Sequence, residues 1–227
     1  MYEQYYGLKE KPFSLTPDTD FFYRSVTHQE ALNVLLVAIK SGDGFIKVTG
    51  EVGTGKTLLC RKLLDALDEQ YNTVYIPNPY MSSNALLDAV LAEMDISGNL
   101  KNDNHLFCIN QYLIEAADNG KMTVIILDEA QSLSNESLEV IRLLSNLETR
   151  KKKLVQIILF GQPELDERLS ETSVRQLRQR IMHAYKLQPL NESSVKSYIH
   201  HRMIAAGYRG PEIFDDKAKV LLFKISQ

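Results

Sequence analysis

Apolar positions change rhythm along the chain, and the changes outline its elements. In the first 26 residues aromatics alternate with turn formers: Tyr5, Tyr6, Pro12, Phe13, Pro17, Asp18, Phe21, Phe22 and Tyr23. The prolines break helical periodicity while the rings need burial, so this stretch is predicted to wrap against a core. Thr27-His28-Gln29-Glu30 reads as a capping box, and Ala31, Leu32, Leu35, Leu36 and Ile39 follow at helical spacing, predicting a helix over 27–39. Short apolar or β-branched runs then predict strands at 45–49, 73–76, 123–128, 154–160 and, more weakly, 183–187. Helical patterns at 56–67, 82–93, 104–119 and 135–148 separate them. Strands alternating with helices call for a parallel sheet covered on both faces, because each parallel connection must cross back over a face. The expectation is a three-layer α/β domain over 27–189, preceded by the wrapping segment 1–26. Beyond Pro189 only helical patterns remain, at 192–206 and 214–226. Val220, Leu221, Leu222, Phe223 and Ile225 form an apolar face that two helices only partly cover, so 190–227 reads as a truncated C-terminal helical subdomain.

Composition narrows the class. With 227 residues, 44% hydrophobic and 24% charged, the chain is long enough for one sizeable core, and it contains no apolar run near the roughly 18 residues that span a bilayer. Membrane insertion is not expected. The start lacks the basic and apolar regions of a secretory signal, and Cys60 and Cys108 lie far apart inside apolar helical patterns, so a reducing, cytoplasmic setting with structural thiols is expected. A net charge of -3 supplies no global field to attract a phosphate backbone, which argues against nucleic acid as a partner.

Two segments carry candidate chemistry. Gly50-Glu51-Val52-Gly53-Thr54-Gly55-Lys56-Thr57 fits G-x-x-x-x-G-K-[ST] directly after a predicted strand and at the opening of a predicted helix, with Leu58 next. Glycines let successive amides turn toward one phosphate group, and the helix adds its positive end. Lys56 would supply charge to the outer phosphates, and the Thr57 hydroxyl would help hold Mg²⁺. The second segment is Val124-Ile125-Ile126-Leu127-Asp128-Glu129, a buried strand ending in two carboxylates. Asp128 suits the metal and Glu129 suits activation of an attacking water, a division of labour that points to hydrolysis. A guanine-reading Asn/Thr-Lys-x-Asp segment does not occur, and the second α/β domain of a helicase does not fit in this length. An ATPase that works in a ring remains.

Further motifs extend this reading: Tyr6-Gly7-Leu8, Lys11-Pro12-Phe13, Thr16-Pro17-Asp18, Phe22-Tyr23-x-Ser25, His28-x-Glu30-Ala31-Leu32, Leu143-x-Ser145-Asn146-Leu147-Glu148 and Gly161-Gln162-Pro163-Glu164-Leu165. With them the chain resembles the ExeA/GspA-type AAA+ ATPases of bacterial secretion and type IV pilus systems, with the MSHA pilus branch as the nearer likeness. The resemblance implies a P-loop ATPase of AAA+ type with a five-stranded parallel sheet and a helical lid, binding ATP and Mg²⁺ and assembling into homo-oligomers. Its partners would be pilus or secretion proteins, met at the inner face of the cell membrane. It also implies that Gln162 occupies the sensor-1 place and that Arg180, then Arg178, reaches a neighbour's nucleotide, with Arg175 in the same run. The sensor-2 arginine would lie beyond Gln227. Phe22 and Tyr23 are expected to border the adenine. Arg150-Lys151-Lys152-Lys153 reads as a solvated loop, and His200-His201 lacks the companions of a metal site. An ATP-switched DNA-binding protein and a nucleotide-dependent scaffold are the alternatives.

Overall fold

A computed structural model describes residues 2–14, 16–96, 105–149 and 152–226. Its centre is a five-stranded, all-parallel sheet made of β1 (Phe45–Gly50), β2 (Tyr71–Ile76), β3 (Met122–Leu127), β4 (Val155–Gly161) and β5 (His183–Leu187), in the spatial order β2-β3-β4-β1-β5. The helices are α1 (Tyr2–Tyr5), α2 (Val26–Ser41), α3 (Lys56–Ala66), α4 (Ser83–Glu93), α5 (His105–Asp118), α6 (Asn135–Leu144), α7 (Pro163–Ser170), α8 (Arg175–Arg178), α9 (Glu192–Ala205) and α10 (Asp216–Ile225).

Side chains alternate across each strand and build two cores. Ile46, Val48, Val124, Ile126, Ile158, Phe160 and Leu187 face α2 and α3, meeting Ala31, Leu35, Ile39, Leu59, Cys60 and Leu63. Phe45, Val74, Ile76, Ile125, Leu127, Val155, Ile157 and Leu159 face the other way, toward α4 to α8. Each fully buried Leu or Ile contributes about 1.5–3 kcal/mol by leaving water, so continuous apolar runs in β3 and β4 are what a sheet covered on both faces requires. Because β4 lies between β1 and β3 and all strands run parallel, the loop after β1 and the acids after β3 meet at the C-terminal end of the sheet, across the end of β4.

Several boundaries differ from the sequence reading. The N-cap of α2 is Ser25, whose hydroxyl accepts the His28 amide at 3.2 Å, while Thr27 sits in the first turn with its hydroxyl 3.0 Å from Ser25 Oγ. The helix expected to reach residue 148 stops at Leu144. Its last residues instead form a turn in which Leu147 O accepts the Leu154 amide at 3.0 Å, and Glu148 bridges to Lys153. Helices α7 and α8 were not foreseen. The expected helix at 104–119 is seen from His105, and residues 104, 150 and 151 lie outside the described residues.

The opening segment divides its aromatics. Phe21 and Phe22 are buried, but Tyr5 is 84% exposed and Phe13 46%. The segment is a strap between the sheet domain and α9: Lys9 N donates to Ala206 O at 2.8 Å, Arg202 Nε donates to Pro12 O, and Arg61 on α3 donates to Pro17 O. The Arg202 guanidinium also lies 4.4 Å over the Phe21 ring. Among the described residues no helix is long and apolar enough to cross a membrane.

Candidate nucleotide site

The loop after β1 curls with Gly53 and Gly55 at φ +80° and +83°, a region in which glycine carries no steric penalty. Thr54 stabilises the curl internally, its hydroxyl donating to Glu51 O at 2.7 Å. Helix α3 then begins at Lys56 with no side-chain cap. Among the described residues, the amides of Gly53, Gly55, Lys56, Thr57 and Leu58 have no protein acceptor. These residues line a cavity of about 270 Å³ with Val52, Glu129, Gln162, Arg202 and strap residues Ser14, Thr16, Pro17 and Asp18. Gly50, Glu51 and Thr54 are not among the lining residues; the carbonyls of Gly50 and Glu51 accept from Lys56 Nζ at 2.8 and 2.9 Å. Burial pushes the Lys56 ammonium below the ordinary lysine range, against the attraction of Glu129, Asp128 and Glu51. The site thus presents a desolvated cation and a set of orphan donors, the chemistry that receives a polyphosphate.

The acids stand opposite. Asp128 is only 1% exposed, and its Oδ1 accepts the Glu129 amide at 2.9 Å. Burial raises its pKa above that of an ordinary aspartate, offset by hydrogen bonds from the Thr57 hydroxyl and the Glu129 amide. Thr57 and Asp128 are therefore adjacent oxygen donors, a pair that fits a hard divalent cation bound together with phosphate. The buried carboxylate's discomfort is what such a cation would relieve. Glu129 has φ +53°, a left-handed conformation uncommon for a side-chain-bearing residue. That turn aims its carboxylate at the cavity, where Oε2 accepts from Gln131 Nε2 at 2.5 Å and Gln162 Nε2 at 3.2 Å. Gln131 closes the network by accepting the Gln162 amide on Oε1 at 3.0 Å. Gln162 is held over the same cavity because β4 ends at Gly161, Pro163 starts α7, and Asp166 of α7 pairs with Lys47 and Thr49 of β1.

Lys56, Thr57, Asp128, Glu129 and Gln162 are thus brought together from three strand ends. Phe22 and Tyr23 are not on the cavity wall. Phe22 packs edge-on to His28 at 5.8 Å between centroids, and Tyr23 packs against Tyr198 and His201. The wall opposite the phosphate loop is built by Ser14, Thr16, Pro17, Asp18 and Arg202, which also line a second cavity of about 570 Å³ together with Arg61. Sequence reasoning missed this, although Thr16-Pro17-Asp18 was visible as a turn. Of the arginines, Arg180 donates to Ser145 O at 3.4 Å, whereas Arg178 is exposed and its guanidinium has no hydrogen-bond partner among the described residues.

A parallel three-layer α/β fold with a phosphate-type loop after β1 and acids after β3, the two strands flanking the central β4, defines a P-loop nucleotide-binding protein of AAA+ type. The AAA domain profile matches residues 39–169, more than half of the chain, and the chain belongs to that family. It is 41% identical over 228 residues to General secretion pathway protein A of Aeromonas hydrophila, covering 100% of this chain and 42% of that protein. Its fold is similar to that of Cdc6p from Pyrobaculum aerophilum (TM-score 0.69, 15% identity, 92% of this chain and 59% of that one). The Aeropyrum pernix ORC2 protein, solved with ADPNP and ADP, is also similar (TM-score 0.62, 15% identity, 84% and 56%). The chain therefore spans about half the length of the relatives it matches.

Proposed function

We propose that this chain is an ATPase that hydrolyses ATP with Mg²⁺ and uses the energy to assemble or remodel a cell-envelope secretion or type IV pilus machine from the cytoplasmic side. The observation that carries the reading is the single cavity lined at once by orphan amides of Gly53 and residues 55–58, the buried Lys56, and the Glu129–Gln162 pair. The relative named for the general secretion pathway supports the setting, and the MSHA-type pilus is the branch we favour. In this reading residues 27–189 are the ATPase core, 190–227 part of the lid, and 1–26 a strap forming one wall of the nucleotide pocket.

The residues divide the work. The amides of Gly53 and residues 55–58 and the Lys56 ammonium grip the phosphates, while Thr57 and Asp128 would hold the Mg²⁺. That ion supplies charge neutralisation on the outer phosphate oxygens. Glu129 takes the proton of the attacking water, and the Gln162 amide, donating to the same carboxylate, fixes its direction. The strap wall at Ser14, Thr16, Pro17 and Asp18 with Arg202 receives the nucleoside in place of Phe22 and Tyr23, beside the adjoining cavity that Arg61 lines. For the contact across a homo-oligomer we assign Arg178 ahead of Arg180, since an uncommitted guanidinium can span two phosphate oxygens of a neighbour's nucleotide.

The test couples particle size with turnover. With a nonhydrolysable ATP analogue and Mg²⁺, light scattering should show growth from monomer to oligomer, and Glu129→Gln should bind ATP while phosphate release falls by about 10²–10⁴. A wild-type protein that does not bind ATP, or a Glu129→Gln variant with undiminished turnover, overturns the proposal.

A further inference from the structure

His28 is absent from the chemistry above, yet it lies directly beneath the phosphate loop. It sits on the first turn of α2, 7% exposed, with the Phe22 ring edge-on against it. Its Nε2 is 2.8 Å from Thr54 O, and its Nδ1 is 2.6 Å from Ser25 Oγ. A carbonyl can only accept, so Nε2 carries the proton and donates to Thr54. Nδ1 then accepts from the Ser25 hydroxyl, which in turn accepts the His28 amide at 3.2 Å. Burial lowers the ring's pKa and so favours the neutral imidazole, the form in which Nδ1 is an acceptor.

The bond to Thr54 has a directional consequence. In a trans peptide the carbonyl and the following N–H point in opposite directions. Drawing Thr54 O down onto His28 turns the Gly55 N–H up, into the cavity that Gly55 lines. The same approach explains why no side chain fits at Gly55: a Cβ there would lie 2.7 Å from His28 Nε2, whereas one on Gly53 would meet nothing within 4 Å.

We infer that His28 is a positioning residue for nucleotide binding, whose Nε2–H holds the Thr54–Gly55 peptide in the orientation that offers the Gly55 amide to a phosphate. This inference rests on the ATP-binding reading above. It predicts more than a packing role, because only the ring nitrogen that reaches Thr54 matters to the ligand. His28→Gln places an N–H near the position of Nε2, whereas His28→Asn keeps a polar group near Nδ1 and Ser25 but falls short of Thr54.

The experiment titrates ATP with Mg²⁺ calorimetrically into wild type and both variants, with melting curves recorded without nucleotide and KM and kcat taken from phosphate release. His28→Gln should bind within about threefold of wild type, while His28→Asn should lose about tenfold in affinity and gain as much in KM with a smaller change in kcat, the scale of one lost buried hydrogen bond. Equal affinities for the two variants overturn the inference, as does an Asn variant that no longer melts cooperatively, which would make His28 a folding residue. Wild type that fails to bind ATP overturns the parent reading and this one with it. Wild type that binds, with Gln and Asn variants indistinguishable, overturns only this one.

Discussion

Adding one methyl group to Gly55 should cost far more than adding it to Gly53, although both glycines lie in the same loop with nearly the same φ. A left-handed conformation costs an alanine about 1–2 kcal/mol at either position. At Gly53 nothing else happens, since its Cβ would have open space. At Gly55 the methyl would meet His28 Nε2 at 2.7 Å, so the imidazole must retreat and Thr54 O loses its donor. A buried group left unpaired adds about 1–3 kcal/mol, for about 2–5 kcal/mol in total at Gly55. Urea denaturation of the nucleotide-free protein measures this, followed by far-UV circular dichroism because the chain contains no tryptophan. Repeating both substitutions in a His28→Ala background closes a double-mutant cycle. With the ring removed, Gly55→Ala should cost only what Gly53→Ala costs. Equal costs in the wild-type background, or a Gly55→Ala cost unmoved by loss of His28, would refute the steric argument.

Four further outcomes follow from the structure. Asp128→Asn should stabilise the nucleotide-free protein. Burial raises the native pKa above the ordinary 3.8, so the native state keeps its proton longer than the unfolded chain. Wild-type stability from this group is present below pH 3.8 and lost as pH rises through the native pKa, and the gain from Asn in urea midpoint should grow over that window and then level off. His28 and His201 have the opposite effect, because burial lowers both native pKa values from 6.5. Their contribution is present above that pH and lost below it, where the unfolded chain takes up protons first, so urea midpoints should fall with acidification through 6.5 and fall less in His28→Gln. Arg178→Ala should leave ATP affinity within about twofold while abolishing the rise of specific activity with protein concentration, whereas Arg180→Ala should lower the melting temperature through its lost bond to Ser145.

The sheet was legible because each strand announced itself locally. Apolar runs such as Val124 to Leu127 and Ile157 to Phe160 are what burial on both faces demands, and the glycine-rich segment fixed where the first strand must stop. The phosphate loop and the acids were legible for a related reason: their chemistry needs fixed spacing along the chain. What stayed hidden depends on distant contacts. Ser25 and Thr27 are both plausible caps, and the choice between them is made by His28 reaching residue 54. Phe22 and Tyr23 looked like partners for a base, but aromaticity does not say which neighbour a ring will meet, and here the neighbours are His28, Tyr198 and His201. Arg178 and Arg180 differ only by two positions in sequence. One is exposed, and the other is committed to a carbonyl on the loop after α6.

The strap has a practical corollary. A shortened protein beginning at Val26 would retain the whole of residues 50–57 and both acids, and by motif inspection it would pass as intact. It would nonetheless lack Ser14, Thr16, Pro17 and Asp18, together with the carbonyls that anchor Arg61 and Arg202. Deleting those opening residues would unroof the pocket and uncouple α9 from α3 in one cut, so the minimal working unit is larger than the minimal recognisable one.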